Sequence, residues 1–292
     1  MSDLTGPGHP EIRRNENPST LVDEVRIARM VFVDVLAENS LECDTTFDAI
    51  MELLDSSAES RMKAAGRSEE SIRQAISKLH GDWFEWLLCI ISQRVQSTEN
   101  TKYVAVRLPN VLRFDSNKLY QPGLQEMLST LKAEVRRAGV ELISSNPDFV
   151  LVSRERLNVG STTSPLALEI IDWHENRYLE LKDQCAYDDI RGYLAAKYTL
   201  RPDRRLQISH EGSLMKALYV HLQTRLWKTE PIGLVFHAVA SMVGTADRTA
   251  LHTVATHSIT SVGSKPQAAV DGVFETKTVG DAEKMFREIL NS

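Results

Sequence analysis

The chain has 292 residues, 42% hydrophobic and 25% charged, enough for one large or two modest folded units and inconsistent with a mostly disordered protein. Acids outnumber Lys and Arg by 40 to 34, and the formal charge of −6 argues at face value against a phosphate-gripping surface, which is normally basic. Three widely spaced cysteines, Cys43, Cys89 and Cys185, form no CxxC pair, which excludes a disulfide scaffold or thiolate zinc site and fits a reducing compartment.

Residues 1–18 mix Gly, Pro, Asn and charges without periodicity and read as a flexible arm lacking the apolar segment of a signal peptide. Ser19 or Thr20 can cap a helix on which Leu21, Val25, Ala28, Phe32 and Val35 recur at helical spacing. Phe47, Ile50, Met51 and Leu54 predict a second short helix. A third starts near Ser68, is interrupted by Gly81 and is recapped by Asp82 into the apolar run DWFEWLLCIISQRV. Residues 19–100 therefore read as a helical N-terminal subdomain, and residues 1–100 hold 10 basic against 18 acidic side chains.

From residue 101 the pattern alternates. Strands are expected at 102–108, 140–143, 149–152, 192–198, 233–240 and 253–262; helices at 122–138, 165–185, from Arg201 to Trp227, 266–274 and 281–290. The apolar stretch 232–243 is far shorter than the roughly 20 residues that a bilayer requires. The order predicts an α/β domain over 101–292, a mixed sheet flanked by helices, behind the helical subdomain.

Several residues could carry chemistry. Asp148, in Asn146-Pro147-Asp148, stands at the mouth of an apolar strand, where a carboxylate is held rigidly yet reaches the surface; Asn-Pro-Asp is also ordinary turn chemistry. Lys197 shares a strand face with Tyr193 and Ala195, which suggests an enclosed ammonium beside an anion, or an edge-strand lysine that guards against aggregation. In RPDRRLQISHEGSLMKAL, Pro202 and Asp203 suit a helix start, whereas Arg201, Arg204 and Arg205 oppose the helix dipole and need an anionic partner. That partner can be DNA, since arginine forks match guanine and aspartate accepts from cytosine, or acids elsewhere in the chain. His210-Glu211 is no metalloprotease motif because Leu214 stands where the second histidine belongs. Glu211 with Asp148 and Lys197 is instead the equipment for metal-assisted phosphodiester hydrolysis. Glu85, three residues after Asp82, has capping-box spacing; Trp83, Trp86, His221, His237 and His257 read as structural.

Together these motifs resemble a known group. NPD before a strand, a lysine 49 positions on, RPDRR, a glutamate 14 past the lysine, and the segments GDWFEWL, HLQTR and VATHSIT are similar to type II restriction endonucleases that cut CCGG-centred sites, especially those reading RCCGGY. The resemblance is concentrated in residues 81–152 and 191–262. It implies the PD-(D/E)xK nuclease fold. The usual acid two residues before the lysine is here Ala195, and in the CCGG-cutting group the following helix supplies the carboxylate, here Glu211. The resemblance further implies that Asp148 and Glu211 hold Mg²⁺, with Glu85 as an additional acid near the metal, and that Lys197 positions the attacking water. Arg201, Asp203 and Arg204 would read the central C·G pairs, and Arg205 would contact a phosphate. Cleavage as R^CCGGY would leave a 5′-CCGG overhang with 5′-phosphate and 3′-hydroxyl ends.

A palindromic site in double-stranded DNA implies a homodimer, and the subgroup pairs two dimers, with Trp227 a candidate for that second interface. A bacterial cytoplasmic location and a separate cognate methyltransferase are expected. The alternative is a catalytically inactive DNA-binding protein of this fold; a small-molecule α/β enzyme would leave the arginine-rich helix start unexplained and lacks a glycine-rich phosphate loop. Residues 191–227 carry seven basic side chains against Asp203 and Glu211, so the acidic total hides a local basic segment.

Overall fold

The computed structural model describes residues 24–142, 146–157, 168–256, 258 and 266–292. Its centre is a five-stranded mixed sheet in the order β1 (Tyr103–Arg107), β2 (Phe149–Ser153), β3 (Ile190–Ala196), β4 (Val235–Ala240), β5 (Gly272–Glu275). The first three strands pair antiparallel and the last three parallel. Eight α-helices surround it among the described residues: α1 (Glu24–Glu38), α2 (Phe47–Ala64), α3 (Glu69–Thr98), α4 (Pro122–Arg137), α5 (Leu168–Asn176), α6 (Pro202–Arg225), α7 (Thr245–Leu251) and α8 (Val279–Ile289).

Strand alternation splits the interior into two cores. Phe149, Leu151, Leu194, Ala196 and Val239 face α1, α2, α3 and α8, whereas Val150, Val152, Tyr193, Ala195, Phe236 and Ala238 face α4 and α6. Helices α1, α2 and α3 thus belong to one of the layers covering the sheet. This α/β architecture, helices on both faces of a mixed sheet, is the expected one. Among the described residues no helix is long and apolar enough to cross a membrane.

Local chemistry sets many of the boundaries. The side chains of Thr46 and Ser68 accept from the backbone N–H groups of Ala49 and Ser71 and cap α2 and α3. Thr278 and Asp281 form a reciprocal capping box at the start of α8.

Five expectations are corrected. Helix α3 runs unbroken for 30 residues through Gly81, so Asp82 caps nothing and Asp82–Glu85 is no capping box. A mid-helix glycine costs about 1 kcal/mol, far less than the burial of Leu79, Trp83, Phe84, Leu87 and Leu88 on either side returns. Residues 140–142 form no strand, and 253–256 make only an isolated bridge, Val254 with Ala268; 143 and 259–262 lie outside the described residues. The stretch 266–274 is not helical. Asp271 N–H donates to Phe236 O and its carboxylate accepts from Phe236 N–H, both at 2.7 Å, which draws the chain into β5. Of the helix expected at 165–185, the described residues keep only α5 and a 3-10 turn (Arg177–Leu181), and 165–167 lie outside the described residues.

Candidate active site

Asp148 precedes β2 and Lys197 follows β3, and antiparallel pairing of those strands brings the two together. Lys197 Nζ donates to Asp148 Oδ1 at 2.9 Å and Oδ2 at 2.7 Å, and Ala196 N–H donates to Oδ2 at 2.7 Å. Lys197 N–H donates to Val239 O at 3.0 Å, which keeps the chain in the sheet past the end of β3. Asn146, the first residue of the turn, has a bracing role: its amide donates to Pro109 O and Phe114 O and accepts from Ser116 N–H.

Ala195, where a carboxylate usually stands in such sites, is fully buried on the face covered by α6. Glu211 projects from α6, is 3% exposed, and accepts from Gln207 Nε2 at 2.9 Å. Burial opposes the charge of Lys197, but the carboxylates of Asp148, Glu85 and Glu211 outweigh it and hold the ammonium above its ordinary pKa. All three nominated acids therefore act on one lysine.

Glu85 reaches this centre from α3. Its Oε2 accepts from Arg107 Nε at 2.8 Å and lies 2.7 Å from Nη2. Burial pushes its carboxyl up to about 7; Arg107 and Lys197 oppose that rise, while Asp148 and Asp82 add to it. Arg107 also approaches Glu175 at 3.3 Å and Asp82 at 3.6 Å. The sequence reading missed Arg107, although an arginine closing the apolar strand YVAVR was a visible signal.

Among the described residues no three His, Cys, Asp or Glu side chains form a ready metal cage. The donor set is nevertheless hard carboxylate oxygen, and Mg²⁺ is typically held by one or two carboxylates with water and phosphate completing the shell, so Asp148 and Glu211 suit it in chemistry.

A cleft of about 940 Å³ opens from Lys197 and Glu85 between α3 and the start of α6, where Arg201 and Arg204 line it. Arg201 and Arg204 lie 3.8 and 4.0 Å from Asp203, and all three side chains remain accessible. Arg205 differs: its Nε lies 2.5 Å from Asp247, at the start of α7. The far wall is braced from α2, where Tyr198 OH donates to Asp48 at 2.7 Å and His80 Nε2 lies 2.8 Å from Asp55, contacts that sequence reading did not find.

Trp227 sits beyond α6, 89% exposed with φ +54, so it is no core residue. Trp83, Trp86 and His237 are buried as expected, and His257 lies outside the described residues.

Residues 17–292 match the family described as Cfr10I/Bse634I restriction endonuclease. The type II restriction enzyme Cfr10I of Citrobacter freundii is 40% identical over 225 residues, covering 75% of this chain and 79% of that protein. The crystal structure of the type IIF restriction endonuclease Bse634I with cognate DNA superposes with a TM-score of 0.80 at 27% identity, covering 90% of this chain and 92% of that one. A second Bse634I restriction endonuclease structure gives 0.79 at 29% identity over 89% and 92%. By sequence and by fold the chain belongs to the Cfr10I/Bse634I restriction endonuclease family and is a type II site-specific deoxyribonuclease.

Proposed function

We propose that this nuclease uses Mg²⁺ to cut double-stranded DNA at RCCGGY, between R and the first C, leaving a 5′-CCGG overhang. The observation that carries the reading is Lys197 seated on Asp148, under the influence of Glu85 and Glu211, beside the cleft that Arg201 and Arg204 line. Asp148 and Glu211 would hold the ion, with Glu85 in a supporting place. Bound there, Mg²⁺ supplies Lewis-acid polarisation of the scissile phosphate. Lys197 orients the attacking water through its ammonium donors and offsets charge growing on the phosphate. In-line attack expels the 3′ oxygen, giving 5′-phosphate and 3′-hydroxyl ends.

Arg201, Asp203 and Arg204 read the central C·G pairs, guanine by arginine and cytosine N4 by aspartate, each contact contributing about 1–3 kcal/mol of discrimination. Arg205, held by Asp247, keeps donors for a phosphate. The Bse634I structure contains cognate DNA, which supports DNA as this chain's ligand. A palindromic site calls for a homodimer, and exposed Trp227 supports a further pairing of dimers. The protein would act in the bacterial cytoplasm beside a separate methyltransferase protecting the same site.

Digestion of mixed plasmid DNA with Mg²⁺, followed by sequencing of the ends, should return RCCGGY with four-base 5′ overhangs. Asp148→Ala and Lys197→Ala should each lower cleavage by roughly a thousandfold or more, with cognate binding in Ca²⁺ retained. Cleavage surviving in either variant would overturn the site assignment.

A further inference from the structure

Lys216 lies in the middle of α6, among the most completely buried large side chains at 2% exposure. Its Nζ donates to Ala268 O at 2.6 Å and to Asp271 Oδ1 at 2.8 Å, and lies 2.7 Å from Oδ2. Asp271 is itself locked to β4 by two bonds with the backbone of Phe236. One turn earlier the helix touches the same segment at Gly212, where a Cβ would lie 2.2 Å from Ala269 O and 3.0 Å from the Phe236 ring. Helix α6 is thus pressed against residues 268–271 and held there by an ion pair.

Stability alone does not account for a buried lysine here, since a well-packed apolar side chain of similar size does as well or better. The ion pair adds direction. Buried positions on α6 run round much of its circumference, from Ile208 and Ser209 through Glu211, Gly212, Leu214, Met215 and Lys216. A broad apolar surface defines rotation and slide weakly. A slip of one residue rotates a helix by about 100° and shifts it about 1.5 Å. Glu211 lies five residues from Lys216 and Arg204 twelve, or about 8 and 18 Å along the axis. A carboxylate that must meet Mg²⁺ at about 2.1 Å tolerates no such slip.

We infer that Lys216 is a positioning residue: through Ala268 O and Asp271 it pins α6 in the register in which Glu211 meets the catalytic centre and Arg201, Asp203 and Arg204 meet the base edges. The inference rests on α6 being the base-reading helix. Arg205–Asp247 and Ser209 Oγ to Ala250 O, at 3.3 Å, fasten the start of the helix to α7 in the same sense.

The test is Lys216→Met in the full-length protein. Binding in Ca²⁺ would be measured for a duplex containing RCCGGY and for one with the central four base pairs scrambled, at a temperature where a thermal melt shows the variant folded. The expected result is at least a tenfold fall in the cognate-to-scrambled affinity ratio, with scrambled-duplex affinity within about twofold of the parent. A ratio within twofold of the parent in the folded variant overturns the inference and leaves Lys216 as core filling. If Lys216→Met does not fold, Asp271→Asn is judged by the same criterion, since asparagine can still accept from Phe236 N–H. Arg204→Gln separates the two levels: if it leaves the ratio unchanged, the reading of α6 itself is wrong and the pin falls with it.

Discussion

Arg107→Met removes the guanidinium that Glu85, Glu175 and Asp82 share. The Arg107, Glu85 and Glu175 side chains are 14%, 15% and 10% exposed, so little solvent screens these pairs. Asp82, at 47% and 3.6 Å, is discounted as largely screened. Deleting one partner of a buried pair costs about 3–5 kcal/mol, because the remaining carboxylates stay desolvated without a counter-charge. For a chain of this size that lowers Tm by about 5–8 °C. The assay is urea and thermal unfolding of parent and variant at pH 8, followed by circular dichroism. The double variant Arg107→Met with Glu85→Gln should recover about 1–3 kcal/mol, because it also removes the stranded charge. A loss below about 1 kcal/mol, the scale of an exposed ion pair, or no recovery in the double variant would refute the reasoning.

Other outcomes follow from the same structure. Gly81 sits within continuous α3 with nothing within 4 Å of the place a methyl group would occupy, so Gly81→Ala should stabilise the free protein by about 1 kcal/mol, seen as a higher Tm; a lower Tm would mean that Gly81 is not an ordinary helical position. His237 is buried, and burial lowers its imidazole pKa to about 4. Between pH 6.5 and 4 the unfolded chain takes up a proton that the folded one refuses, so stability falls as pH drops, by about 2 kcal/mol at pH 5. His237→Leu should remove that part of the slope in a pH series of melts, and an unchanged slope would rule the account out.

Features encoded by near neighbours in the chain were legible in the sequence. Pro122 and Gly139 bracket α4, a helical run marks α8 from 281 onward, and the apolar runs at 102–108, 149–152 and 192–198 mark strands, because turn residues and periodicity act over a few positions. The meeting of Asp148 and Lys197 was legible for another reason: an acid and a lysine of that kind, with Glu211 nearby in sequence, have no easy structural use in combination. Gly81 misled because a local rule was applied where a long buried helix face outweighed it. The stretch 266–274 misled because its helical pattern lost to two hydrogen bonds between Asp271 and Phe236, 35 residues away in the chain.

The sequence by itself determined the α/β class, the position of Asp148 at the mouth of a strand, and the arginine-rich start of α6. Only the tertiary structure decided that Glu85 shares a guanidinium with Glu175, that Arg205 answers to Asp247, that Trp227 faces solvent, and that Lys216 is buried against Asp271. The division has a physical cause. Propensity and capping are set by neighbours along the chain, whereas the partner of a buried charge is chosen by which distant segments the sheet brings within about 3 Å of it.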